Sequence, residues 1–88
     1  MLLVKRALIL ISMKKYKDAI YQLNRAGEVE LKSEIMNTDQ KAYLYYLLAI
    51  CYSNLRKFED AKKNIEMSLK IKPDNNSAIS FQSQLIHR

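Results

Sequence analysis

An all-α fold built from repeated helix pairs is predicted by three features of the sequence. One glycine and one proline stand among 88 residues, about half of which are apolar; that balance suits packed helices and leaves little from which to build turn-rich β structure. Tyr16-Lys17-Asp18-Ala19-Ile20 recurs 42 positions on as Phe58-Glu59-Asp60-Ala61-Lys62, each with an aromatic three residues ahead of an alanine, and a fixed internal offset marks a repeat architecture. Each copy also follows a short basic turn, Lys14-Lys15 and then Arg56-Lys57. A chain of this length makes one domain and hides only about 60 to 65% of the surface its unfolded form exposes, so an uncovered apolar face is costly.

Around the second copy the pattern widens to Tyr45-x2-Leu48-Ala49-x2-Tyr52, then Ala61-x3-Ile65, then Pro73, and in these residues the chain resembles the tetratricopeptide-repeat family. The resemblance implies that Ala49 and Ala61 let two antiparallel helices approach closely. Tyr45, Leu48, Tyr52, Phe58 and Ile65 would fill the space between them, and Pro73 would open the turn to the next repeat. The first copy reads Leu3-x2-Arg6-Ala7-x2-Leu10 and Ala19-x3-Leu23-x2-Ala26, departing from the family at Arg6, where leucine is usual, and at Leu31, where proline is usual. The implied architecture is a short right-handed superhelical stack of antiparallel helix pairs. It forms one domain over residues 1–88: repeat one at about 1–34, repeat two at about 42–75, and a capping helix at about 75–87.

The elements are expected in this order. A first helix covers about 2–13, with Leu2, Leu3, Val4, Ala7, Leu8, Ile9, Leu10, Ile11 and Met13 all around its axis. The second starts at Tyr16 and is expected to run to about 34 through Glu28-Val29-Glu30-Leu31-Lys32, because the offset of 42 exceeds the usual repeat of about 34 residues. A short loop at Asn37 to Asp39 follows, with Asn37 or Thr38 as N-cap. The third helix, about 39–54, contains the unbroken apolar and tyrosine run Ala42 to Tyr52, and the fourth covers about 58–71. A fifth, about 75–87, is rich in Ser, Gln and Asn, the composition of a terminal cap whose outer face meets water.

Function is expected where apolar side chains exceed what the repeat consumes. Once Tyr45, Leu48, Ala49 and Tyr52 are used inside the repeat, Tyr43, Tyr46, Leu47 and Ile50 point elsewhere; the family resemblance places first-helix residues of this kind on a concave groove that holds peptides. Tyrosine suits such a surface, being large, rigid and satisfied when wet. The first helix is apolar all round with nothing before it in the stack, so Val4, Leu8 and Ile11 are expected to meet a partner chain, a second copy or another part of a longer protein. The expected partner-binding set is therefore Val4, Leu8, Ile11, Tyr43, Tyr46, Leu47 and Ile50. Lys14, Lys15, Lys17, Arg56 and Lys57 occupy equivalent turns, and stacking is expected to line them up as a basic ridge available to an anionic partner.

Other chemistry is not indicated. Gly27 is the only glycine, so no phosphate-cradling loop exists. His87 has no ligand-type neighbour at metal spacing, and Cys51, alone in the most apolar helix, reads as a small core hydrophobe. Glu28, Glu30 and Glu34 are spaced for solvent or for pairing with Arg25 and Lys32 rather than for acid-base work. No enzyme, cofactor or metal is expected. The net charge of +6 comes without an arginine-rich run or aromatics interleaved with lysine, so nucleic acid is not expected as a specific ligand. The lone cysteine implies a reducing intracellular compartment, cytoplasmic or organellar; no stretch reaches the roughly 18 apolar residues of a membrane span, and the N-terminus lacks a secretory signal.

The expected function is thus a protein-binding adaptor or assembly module, with a homo-oligomer or a larger complex as its expected setting. The alternative is a structural subunit or fragment of a large organellar or ribonucleoprotein assembly. Gripping of acidic chaperone tails, a known use of the family, is not implied, because Val4, Leu8, Leu47, Ser77 and Phe81 stand where that clamp needs lysine and asparagine. A narrower resemblance also holds: Gln40 to Tyr52, Arg56 to Ile71 and Pro73-Asp74-Asn75-Asn76 look like the cytosolic domain of mitochondrial fission adaptors. Those are basic two-repeat proteins held to the outer membrane by a C-terminal tail that this sequence does not carry.

Overall fold

The structure, a computed structural model, describes residues 2–28 and 37–86. Among them are five α-helices and no strand: α1 Leu2–Ser12, α2 Tyr16–Ala26, α3 Thr38–Asn54, α4 Phe58–Ile71 and α5 Asn76–Ile86. Each packs mainly on the next in sequence, which is the antiparallel helical stack the repeat implied. The molecule measures 36 × 28 × 18 Å. Its smallest dimension is close to two helix diameters of about 10 Å, so the stack is two layers deep.

The basic turns show how faithfully the two repeats agree. Among the described residues, Lys14 and Arg56 are the two non-glycine residues with left-handed backbone, at φ 60° and 62°. In the first turn the Lys15 N–H donates to the Leu10 carbonyl at 2.8 Å and Lys14 N–H to Ile11 at 2.9 Å; in the second, Lys57 N–H donates to Tyr52 at 2.9 Å and Arg56 N–H to Ser53 at 3.0 Å. Both are Schellman closures, and Lys15 and Lys57 leave them at φ/ψ of −94°/68° and −92°/71°.

Helix starts follow local chemistry. Asn37 caps α3 through a reciprocal capping box: its side chain accepts from the Gln40 N–H at 2.8 Å, and the Gln40 side chain accepts from the Asn37 N–H at 3.0 Å. That box starts α3 at Thr38, so Thr38 and Asp39 form its first turn rather than the expected loop. Asn75 accepts from the Ala78 N–H at 3.3 Å at the head of α5. The second helix is regular α only to Ala26, with a wider π turn at Gly27 and Glu28; its expected continuation to about 34, including Glu30, Lys32 and Glu34, lies outside the described residues, as does His87.

Small residues set the close contacts. Ala7, Ala19, Ala26, Ala42, Ala49, Ala61 and Ala78 are all fully buried. One core cluster joins Val4, Ala7, Leu23, Leu44, Leu48 and Cys51; a second joins Ala49, Ile65 and Ala78 with Tyr46, Leu69, Phe81 and Leu85 packed on it. The third helix contributes to both clusters, which accounts for its being apolar on every side. One buried polar bond ties α4 to α3, the Ser68 hydroxyl donating to the Ala42 carbonyl at 2.7 Å.

Candidate functional site

The first helices of the pairs, α1 and α3, and the cap α5 share one face, and an aromatic strip runs across it. Tyr43 and Tyr46, one turn apart on α3, stack at 6.3 Å between ring centroids with 28° between planes. Phe81 of α5 meets Tyr46 edge-on at 6.0 Å and 79°. Such aromatic contacts favour offset or edge geometry and hold the rings in place.

Grooves flank the strip on both sides. Towards α1 lies one of about 460 Å³ whose floor includes Val4 and Tyr43 and whose rim carries Lys5, Gln40 and Asn75. Its far wall is closed by an ion pair, Lys72 Nζ to Asp39 at 2.7 Å. The hydrogen bond that Lys72 donates to Asp39, reinforced by the charge of that carboxylate, raises the Lys72 pKa above the ordinary lysine value. Towards α5 a polar groove of about 380 Å³ runs between Tyr46 and Phe81, with Ser77, Ser80 and Gln84 on its rim.

The expected partner-binding residues divide by burial. Tyr43 is 39% exposed and Leu8 37%; Tyr46, Ile50 and Ile11 are half-buried, Tyr46 against the second core cluster and Ile11 against the first. Val4 and Leu47, at 3% and 4% exposure, are core. Both side chains pack in the first core cluster, and Val4 also lines the groove towards α1. Phe81 and the Asp39–Lys72 pair are site features absent from the expected set. Phe81 had a legible signal, since it stands at a groove position of the third first-helix; the ion pair joins residues far apart in sequence and had none.

All five ridge residues are exposed. Lys14 to Asp18 and Leu55 line one shallow depression, so the first basic turn lies beside the end of α3 that leads into Arg56 and Lys57. On the outer face of α2, the Arg25 guanidinium lies 5.9 Å over the Tyr21 ring. Cys51 is fully buried, and loss of hydration pushes its thiol up to about 11, where it is neutral and unreactive at physiological pH. Among the described residues no helix is long and apolar enough to cross a membrane, and no cluster of metal-ligating side chains occurs.

Among known families, the profile of the Fis1 C-terminal tetratricopeptide repeat matches residues 41–87. No curated protein and no solved structure matches the chain.

Proposed function

The chain belongs to the Fis1 C-terminal tetratricopeptide repeat family, and from that premise we propose that it is an adaptor whose α1–α3–α5 face holds a segment of a partner protein. Modules of the tetratricopeptide type serve protein interaction, and the finer reading concerns where and how. The observation that carries it is the strip Tyr43–Tyr46–Phe81, apolar and held by ring contacts, with a groove on either side. Rings fixed before a partner arrives cost little entropy on binding, and the apolar floor with polar rims suits a peptide or helix held by apolar anchors. Leu8 and Ile50 extend the surface; the exposed ridge of Lys14, Lys15, Lys17, Arg56 and Lys57 adds attraction for an acidic partner. Homo-oligomers and larger complexes are compatible with the same surfaces.

The test is affinity capture from the source cell with the wild-type chain and with Tyr43→Asp. Tyr43 is exposed, so the substitution should leave helicity intact while removing a specific partner. Retention of that partner by the variant would take the strip out of the account. A second, narrower reading is an adaptor of mitochondrial fission. It is favoured because the family match covers most of the stretch from Gln40 to Asn76 that looks like those proteins. Imaging of the protein tagged at its genomic locus tests it, and a distribution unrelated to mitochondria would remove it.

A further inference from the structure

The groove between α1 and α3 is rich in side-chain donors and short of acceptors. Lys5, Gln40, Lys72 and Asn75 line it, with Asp39 as its one carboxylate. The Gln40 side-chain oxygen accepts from the Asn37 N–H at 3.0 Å, and the Asn75 side-chain oxygen accepts from the Ala78 N–H at 3.3 Å. A backbone N–H can be met only by the oxygen of an amide, so both caps fix which way the amide is turned, and each residue keeps its NH2 group for other acceptors. Asp39 is already met by Lys72 at 2.7 Å, whereas Lys5 has no ion pair among the described residues. The lining side chains are thus left with one uncompensated positive charge and two amide NH2 groups, set over the apolar floor of Val4 and Tyr43.

We infer that this groove captures the C-terminal end of a partner protein, its carboxylate held by Lys5 and by the Gln40 and Asn75 amides, and its last, apolar side chain lying on Val4 and Tyr43. A carboxylate offers two oxygens and one negative charge, which is what an ammonium and two NH2 groups can satisfy together. A chain end is favoured over a passing segment by the shape of the groove. The Asp39–Lys72 pair closes its far wall, while Tyr43 leads on to Tyr46 and Phe81. A peptide can stop at the wall with its preceding residues laid along the strip towards the polar groove of Ser77, Ser80 and Gln84. A segment of this same chain ahead of α1 has no C-terminal carboxylate to offer, and a second copy would bring a net charge of +6 against Lys5. The site is also unlike the clamp with which the wider family grips acidic tails, since Val4, Leu8, Leu47, Ser77 and Phe81 stand at those positions; it takes a single carboxylate behind an apolar side chain.

The inference rests on reading the α1–α3–α5 face as a partner surface, and the experiment separates the two. The probe is a short acetylated peptide of neutral residues ending in leucine, made with a free carboxylate, with a C-terminal amide, and as an amide with glutamate beside the leucine. Each is titrated into the ¹⁵N-labelled chain, in which the side-chain NH2 groups of Gln40 and Asn75 give signals of their own. The expected result is saturable binding of the free acid below about 1 mM, with shifts at both NH2 groups and at Lys5 and Tyr43. Amidation should weaken it at least about tenfold, and Lys5→Gln should do the same. Arg6→Gln, which removes the same charge from an exposed residue outside the groove, should not. Equal affinity for acid and amide, with shifts on Tyr43, Tyr46 and Phe81, would overturn the chain end and leave the face standing. Equal affinity for the glutamate amide would overturn it in favour of a passing acidic segment, of this chain or another. Self-association, detected by light scattering and dispersed by the free acid, would overturn it in favour of a second copy. Absence of saturation by every version would also overturn it, and the face would fall with it only if capture of a cellular partner survived Tyr43→Asp.

Discussion

Replacing Lys14 and Arg56 by glycine, singly and together, tests the structural equivalence of the two repeats. Both residues hold left-handed backbone, at φ 60° and 62°, which costs an L-residue about 1 to 2 kcal/mol. Glycine relieves that cost but gives the unfolded chain extra freedom worth about 0.5 to 1 kcal/mol. The net expectation is a gain of about 0.5 to 1 kcal/mol at each turn, equal at the two sites within about 0.5 kcal/mol. For a domain of this size each kcal/mol moves Tm by about 4 to 8 °C, so the double variant, gaining about 1 to 2 kcal/mol, should melt roughly 4 to 16 °C higher. Thermal and urea unfolding followed by circular dichroism reads this directly. Lys14→Ala and Arg56→Ala remove the charge and keep the Cβ, so they should not stabilise; a gain from alanine as large as that from glycine would assign the effect to charge. Destabilisation by glycine at either position, or a gain at only one, would refute the claim that both turns close by the same strained geometry.

Three further outcomes are expected. Ser68→Ala should cost about 0.5 to 1.5 kcal/mol in urea unfolding, the worth of a hydrogen bond whose acceptor keeps its helical partner, and a neutral result would show that the Ser68–Ala42 bond contributes nothing. The Cys51 thiol should be inert to aromatic disulfide reagents in the native state and react on unfolding. Because burial pushes its folded pKa up to about 11, above the ordinary value of 9.0, its contribution is full below pH 9 and is lost as pH rises through 11. This amounts to about 3 kcal/mol at most, and Cys51→Ala should remove that part of the alkaline decline. Partner affinity should fall between low and physiological salt if the basic ridge takes part, with Lys15→Glu and Lys57→Glu flattening the dependence; salt-independent binding would leave the ridge as solvated surface.

Much of the fold was legible because its rules are local. The Tyr45-x2-Leu48-Ala49-x2-Tyr52 pattern with Ala61-x3-Ile65 and Pro73 places two helices and their close contact. The basic pair before each aromatic marks the turn that the Schellman bonds close. What escaped the sequence depends on packing between elements. A helix apolar on all sides does not reveal which side chains stay at the surface. Leu47 and Tyr43 are both candidates until the positions of α1 and α2 bury one of them and leave the other exposed. The start of α3 moved by one residue because the Asn37–Gln40 exchange extends the helix to Thr38. Phe81 stands at a groove position that the sequence shows, but its edge-on contact with Tyr46 follows only from the way α5 packs on α3. The Asp39–Lys72 pair has no sequence signature, since the turn between α4 and α5 must fold back on the head of α3 before the two charges meet.

The central claim, that partners are held on the α1–α3–α5 face, is tested most directly by site-specific photocrosslinking. A benzophenone amino acid placed at Tyr43 or at Met67 compares two side chains that are both 39% exposed, one on the aromatic strip and one on α4. The account predicts that, in the source cell, a partner protein is crosslinked from position 43 and not from position 67. Equal crosslinking from both, or crosslinking from position 67 alone, would contradict it.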